Sequence, residues 1–158
     1  MSKTLIKLNN YQIPAYIKRR FWLEKAPNLK KSEIDSIFNS LKEFLYLSYK
    51  YKNVYLSSYI VDEAWHVFIL FTKDYQKFCN EVFGEFIHHT PSISKNGYKD
   101  DIKEIKNTYF LVKENNPTSK IFDHDSELDI HGSKYKGIIE IKEENENISI
   151  FLNKKRIG

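Results

Sequence analysis

Apolar side chains recur three and four apart over much of the first 115 residues, and alternate with polar ones only near the C-terminus. That change of period predicts a helical body followed by strands. Pro14 suits the first position of a helix running to about Lys25, since a first-turn residue has no N–H bond to lose, and Pro27-Asn28 closes that element. Ser32 before Glu33, Ile34 and Asp35 reads as an N-cap with a first-turn acid. Ile34, Ile37, Phe38, Leu41, Phe44 and Leu45 then line one face to about Tyr49. Ser57 or Ser58 can cap a third helix that carries Asp62 and His66 and runs to Phe83, with Gly84 as its left-handed terminator. Ile102, Ile105, Tyr109 and Val112 predict a fourth helix over 99–115, ended by Asn115-Asn116-Pro117.

Glu85 to Tyr98, with Pro91, two serines and Asn96-Gly97, is loop material. Gly137 to Lys142 and Ile148 to Leu152 are β-prone around a polar turn at Glu143 to Asn147, which predicts a hairpin. A lone hairpin is marginal in water, so this one must pack on the helices, gain a strand from around Leu128 to His131, or pair with another chain. The expected fold class is mainly α: a bundle of about four helices with a small C-terminal β-hairpin. A helical domain over 1–118 would be followed by a linker and hairpin over 119–158 that packs on it.

A chain of 158 residues suits one domain of ordinary core size, and an aromatic share of 15% means that rings build much of that core. A single Cys excludes an internal disulfide framework and points to a reducing, cytoplasmic setting. The N-terminal Met1 to Lys7 lacks the apolar core of a signal peptide, and the apolar run Ala64 to Phe71 is too short to span a bilayer, so no membrane partner is expected. Residues 1–52 hold eleven Lys/Arg against four Asp/Glu. Lys18-Arg19-Arg20 beside Phe21 and Trp22 could meet phosphate, but on a helix those charges alternate with Ile17 and Phe21. A solvated face explains them better than nucleic acid does.

Candidate chemistry is concentrated between Val61 and Pro91, which hold three of the five histidines, the Cys and one of the two Trp. On a helix Asp62 and His66 lie about 40° apart and one turn along, within reach of a hydrogen bond or a shared ion. Along a straight helix Cys79 would lie about 20 Å from His66, on a stripe with Trp65, Phe68, Thr72, Tyr75 and Phe83, where a lone Cys is a small buried hydrophobe. The loop after Gly84 can fold back. His88 or His89 would then complete a His/His/Asp or three-His set with open positions, of a kind that zinc or iron accepts. Adjacent residues alternate direction, so one of the pair points inward.

Val61-Asp62-Glu63-Ala64-Trp65-His66, followed by Leu70, Thr72, Tyr75, Cys79, Gly84 and His88-His89, resembles the signature segment of the glycine-rich-domain-protein-like family. The likeness covers about residues 55 to 91 and resembles short bacterial members that lack the glycine-rich tail. It implies a Val-Asp-x-x-Trp-His run on a helix with Tyr and Cys downstream, and it carries no activity with it. Many relatives have a second His two places after the first; Phe68 stands there here, so that ligand is missing.

Asp123-His124-Asp125, with Glu127, Asp129 and His131, suggests calcium but lacks the EF-hand Gly and bidentate Glu, since Leu128 and Lys134 stand there. A solvated acidic linker is the better account. No phosphate loop, dinucleotide fingerprint or hydrolase elbow is present. Two functions stay open, and no catalytic residue is named under either. In one, Asp62, His66 and His88 or His89 hold a divalent metal. In the other they form a structural hydrogen-bond network in a binding or scaffold module whose partner would be another protein.

Overall fold

Ser2 accepts a hydrogen bond from the Leu5 N–H and so opens a helix that the sequence pattern did not predict, Lys3–Asn10 (α1). The computed structural model describes residues 1–52, 54–56, 58–89, 101–127, 139–144, 147–152, 155–156 and 158. Pro14 caps Ala15–Lys25 (α2), and Lys31–Tyr51 (α3) follows. Ser32 is not the N-cap: Lys30 is extended and its carbonyl accepts from Glu33 and Ile34, so the helix starts ahead of the serine. Tyr59–Leu70 (α4), Thr72–Phe83 (α5) and Ile102–Asn115 (α6) complete six helices of eight residues or more among the described residues. A four-residue turn of helix, His124–Glu127 (α7), precedes the strands Ile139–Glu144 (β1), Asn147–Leu152 (β2) and Lys155–Arg156 (β3). The chain is mainly helical with a C-terminal antiparallel hairpin, in more pieces than the periodicity predicts.

The expected single helix through His66 and Phe83 is two. At Phe71 (ψ 69°) the chain leaves helical geometry, with its N–H turned onto the Phe68 carbonyl and its own carbonyl starting the next helix at Tyr75. The reversal packs the Tyr75 ring edge-on against Phe68 at 5.1 Å. On a continuous helix, residues seven apart would stand about 10 Å apart along the axis. Gly84 ends α5 in the left-handed region (φ 72°), its N–H donating to the Cys79 and Asn80 carbonyls.

Ile17, Phe21, Ile37, Leu41, Leu45, Val61, Ala64, Phe68, Phe78 and Cys79 are fully or almost fully buried in one core. Its faces are the apolar stripes of α2 to α5, with Leu8 of α1 and Val112 of α6 added. Helix α2 runs against α4, with Lys25 paired to Glu63 at 2.8 Å, and its Tyr16 hydroxyl donates to Asp74 on α5 at 2.6 Å. The hairpin packs on α6: Ile150 and Ile105 are fully buried, with Ile102, Tyr55 and Ile141 around them. β2 also pairs with β3, and Ile150 exchanges backbone hydrogen bonds with Gly158. The extra strand thus comes from the C-terminal side, while the segment Leu128 to His131 lies outside the described residues, as do Asp129, Pro91 and Asn96-Gly97.

The Asp123–Asp125 stretch is not a solvated linker. His124 and Asp125 are 5% and 3% exposed, and Ile121 joins the main core. The Asp125 carboxylate accepts from the Tyr59 and Ile60 N–H groups at 2.9 and 2.8 Å, capping α4 from 65 residues away. The His124 Nε2 lies 2.8 Å from the Ser40 hydroxyl on α3. The hydrophobic pattern could not reveal this, because two polar residues buried by long-range hydrogen bonds read as surface.

Replacing Asp125 by Ala should lower unfolding free energy in urea by about 1–3 kcal/mol, since it strips two first-turn N–H groups of their acceptor. His124 gives a pH dependence. Burial lowers its pKa, Lys120 adds to that and Asp123 opposes it. The unfolded chain takes up the proton near pH 6.5 while the folded chain refuses it to lower pH. Stability from this group is therefore full above about pH 6.5 and declines as the pH falls. Thermal unfolding of His124→Gln should lose less between pH 7 and 5 than that of the parent chain.

Candidate functional site

Helix α4 presents two faces. Val61, Ala64, Trp65 and Phe68 go into the core, while Asp62, Glu63 and His66 lie along its edge. Ser58 starts the helix, its hydroxyl accepting from the Val61 N–H, so Asp62 and Glu63 fall in the first turn, where negative charge is favoured. Asp62 and His66, one turn apart, come within 3.3 Å (Oδ2 to Nε2).

The third member of the cluster arrives from the loop after α5. The Trp65 indole N–H donates to the Tyr75 hydroxyl at 3.0 Å, and that hydroxyl donates to the Ile87 carbonyl. The Ile87 backbone also hydrogen-bonds the Cys79 side chain. Ile87 is buried beside them, and the chain two residues further on is thereby carried back over α4. There the His89 ring sits edge-on to Trp65 at 4.4 Å. Its Nε2 is 2.9 Å from Asp62 Oδ1 and 3.0 Å from His66 Nε2. One donor atom from each of Asp62, His66 and His89 lies within 4.8 Å of the others. His88 is exposed, its ring tilted at 58° to that of Phe86 with centroids 4.8 Å apart.

The motif residues therefore divide by task. Trp65, Tyr75 and Cys79 are buried and hold the loop; Gly84 turns the chain into it. Burial pushes the Tyr75 hydroxyl far above its ordinary pKa and raises the Cys79 thiol, so both stay protonated and structural. Thr72 is not on their stripe. The break at Phe71 rotates α5 relative to α4, and Thr72 becomes the exposed first residue of the second helix.

Glu63 was not singled out by the sequence, although it stands three residues before His66. Its carboxylate lies 3.5 Å from His66 Nδ1, on the ring edge away from the cluster, and accepts the Lys25 ammonium on its other oxygen. Glu63 raises the His66 pKa, with burial opposing it and Asp62 adding to the rise. His66 in turn, against burial and with help from Lys25, holds the Glu63 carboxyl low. A carboxylate at Nδ1 favours the tautomer with its proton there, which leaves the Nε2 lone pair facing Asp62 and His89. A cavity of about 520 Å³ lies elsewhere, lined by Ser40, Lys42, Glu43 and Asn116 among others, and includes no member of the cluster. No helix among the described residues is long and apolar enough to cross a membrane.

A family model described as UCP032817-like matches residues 3–133, which takes in α1 to α7 and the whole cluster. The chain belongs to the UCP032817-like family. No curated protein and no solved structure matches it. In this UCP032817-like chain the matched span contains both the helix that bears Asp62 and His66 and the α7 turn that caps it.

Tyr75→Phe tests the loop anchor. It deprives the buried Trp65 N–H and the Ile87 carbonyl of their partner, at an expected cost of about 1–3 kcal/mol. Amide exchange should quicken over Glu85 to His89 more than in α3.

Proposed function

We propose that this protein binds a divalent metal ion, zinc or iron, through Asp62, His66 and His89. The observation that carries the reading is the convergence of two imidazole nitrogens and one carboxylate from helix α4 and the loop after α5, with His89 Nε2 2.9 Å from Asp62 Oδ1 and 3.0 Å from His66 Nε2, and His66 Nε2 3.3 Å from Asp62 Oδ2. With both imidazoles neutral and their Nε2 lone pairs turned inward, three electron-rich atoms face one another, and a cation at their centre is the charge that they lack. Glu63 at Nδ1 of His66 supplies the outer carboxylate that orients a ligating imidazole. His88, named with His89 as a candidate ligand, has no part in this site. Kinship with the glycine-rich-domain-protein-like family is part of the same proposal, on the strength of the Val61 to His66 run.

The alternative is a binding or scaffold module in which the three side chains only hydrogen-bond one another. The distances between His89, Asp62 and His66 suit such bonds as well. Metal content separates the two. Protein purified without chelator or metal-affinity tag should carry near-stoichiometric zinc or iron, or take it up on titration. His66→Ala and His89→Ala should abolish this, His88→Ala should leave it unchanged, and Glu63→Gln should weaken affinity about 10–100-fold. Metal-free, fully folded protein that does not bind either ion would sink the reading.

A further inference from the structure

The cavity of about 520 Å³ lies between α1, α3 and the chain that follows α6. We propose that it binds a free α-amino acid, whose carboxylate meets Lys42 and whose ammonium meets Glu43. Cavity and metal cluster share no residue, so this second site stands apart from the metal reading.

Two half-buried charges of opposite sign line the cavity without neutralising each other. Lys42 and Glu43 are neighbours on α3, and side chains at adjacent helix positions do not face one another. Among the described residues neither is in an ion pair. The Lys42 ammonium donates to the Tyr11 carbonyl at 3.0 Å, and a Glu43 carboxylate oxygen accepts from Asn116 Nδ2 at 3.4 Å. An ammonium has three donors and a carboxylate about four acceptor sites, so each group keeps capacity for a ligand. Burial lowers the Lys42 pKa, and the Lys18 charge lowers it further. Burial raises the pKa of Glu43, against hydrogen bonds from Ser119 and Asn116 and the Lys113 charge. In both, the loss of water outweighs what the neighbours return, which marks a charge short of its counter-charge.

A ligand with one charge would be drawn to one of these side chains and repelled by the other, and a neutral ligand would leave both uncompensated. A zwitterion meets both. Lys42 and Glu43 leave the helix at neighbouring positions, which suits a ligand whose ammonium and carboxylate share one carbon. Lys120 also lines the cavity, but Asp123 stands 4.0 Å from it. Leu5, Leu8 and Leu47 supply apolar wall for the ligand's own side chain. The volume lies within the range of small-molecule sites, about 300–1,000 Å³.

Isothermal titration of the whole chain with each of the common L-amino acids tests this. At least one should bind with Kd below about 1 mM. Its N-acetyl form, which lacks the ammonium, and its amide, which lacks the carboxylate, should each bind at least about 10-fold more weakly. Glu43→Gln keeps the shape of the side chain. It should weaken the free amino acid by at least about 10-fold, and N-acetylation should then cost little more, because the charge that it deprives of a partner is already gone. Failure of every amino acid to bind would overturn the inference, as would blocked forms that bind as well as the free one. A folded Glu43→Gln chain that binds the free amino acid like its parent would overturn it too. The blocked ligands are compared on the parent chain, so they decide the matter even where the variant does not fold.

Discussion

The Tyr75 hydroxyl is the interaction on which the site depends. It accepts the Trp65 indole proton and gives its own to the Ile87 carbonyl, so one buried oxygen ties α4, α5 and the following loop together. Each bond requires the others' geometry. The reversal at Phe71 brings Tyr75 back over Trp65, and the Gly84 turn brings Ile87 back to Tyr75. In a low-dielectric interior, an unmet indole N–H or carbonyl costs more than a bond exposed to water gains, so the arrangement is held together by the penalty for breaking it. His89 inherits its position from this chain of bonds: it is two residues beyond an anchored backbone and rests against the Trp65 ring.

Helix α4 is held at its other end too. Asp125 meets its first free N–H groups, and His124 beside it meets Ser40 on α3. A short turn of helix near residue 125 thus fixes the start of the element that carries Asp62 and His66, while Tyr75 fixes what lies over it. The cluster itself is exposed, but the parts that position it are buried. That division suits a site that must keep its donors within a few tenths of an ångström yet remain open to solvent.

Much of this was legible in the sequence, and the failures have physical causes. The faces of α3 and α6 followed from apolar spacing and the bounds of α2 from Pro14 and Pro27-Asn28; α3 buries its stripe in the main core, and α6 divides its own between that core and the hairpin. The pairing of Asp62 with His66 followed from helical rise and twist, and alternation along the loop required one of His88 and His89 to face inward. Which one could not be read locally, since Tyr75 and Cys79 decide it by holding Ile87. The break at Phe71 was invisible because Leu70 and Phe71 continue the apolar run. The only local hint was Thr72-Lys73-Asp74, a polar start with an acid in the first turn. Helix α1, with Leu8 as its one buried residue, gave too little periodicity to register. Asp125 was misread because a buried carboxylate and a solvated one look alike until its partners 65 residues away are known.

The placement of acids adds a constraint of its own. Asp62 and Glu63 occupy the first turn of α4, and Asp125 reaches the same helix end from outside. The helix dipole favours all three, but they also repel. Burial raises the pKa of Asp125, and the Asp62 charge raises it further, against the hydrogen bonds that it accepts. Lys25 offsets one of the three through Glu63. Asp62 is left with imidazoles as its partners, and these are cations only when protonated. Toward higher pH His66 loses the proton that Glu63 and Asp62 favour, and the helix end is left with its carboxylates against one lysine and the dipole. A divalent cation between Asp62, His66 and His89 would restore the balance without requiring either ring to hold a second proton. The charges at this helix end thus bear on the proposed cation site as directly as its geometry does.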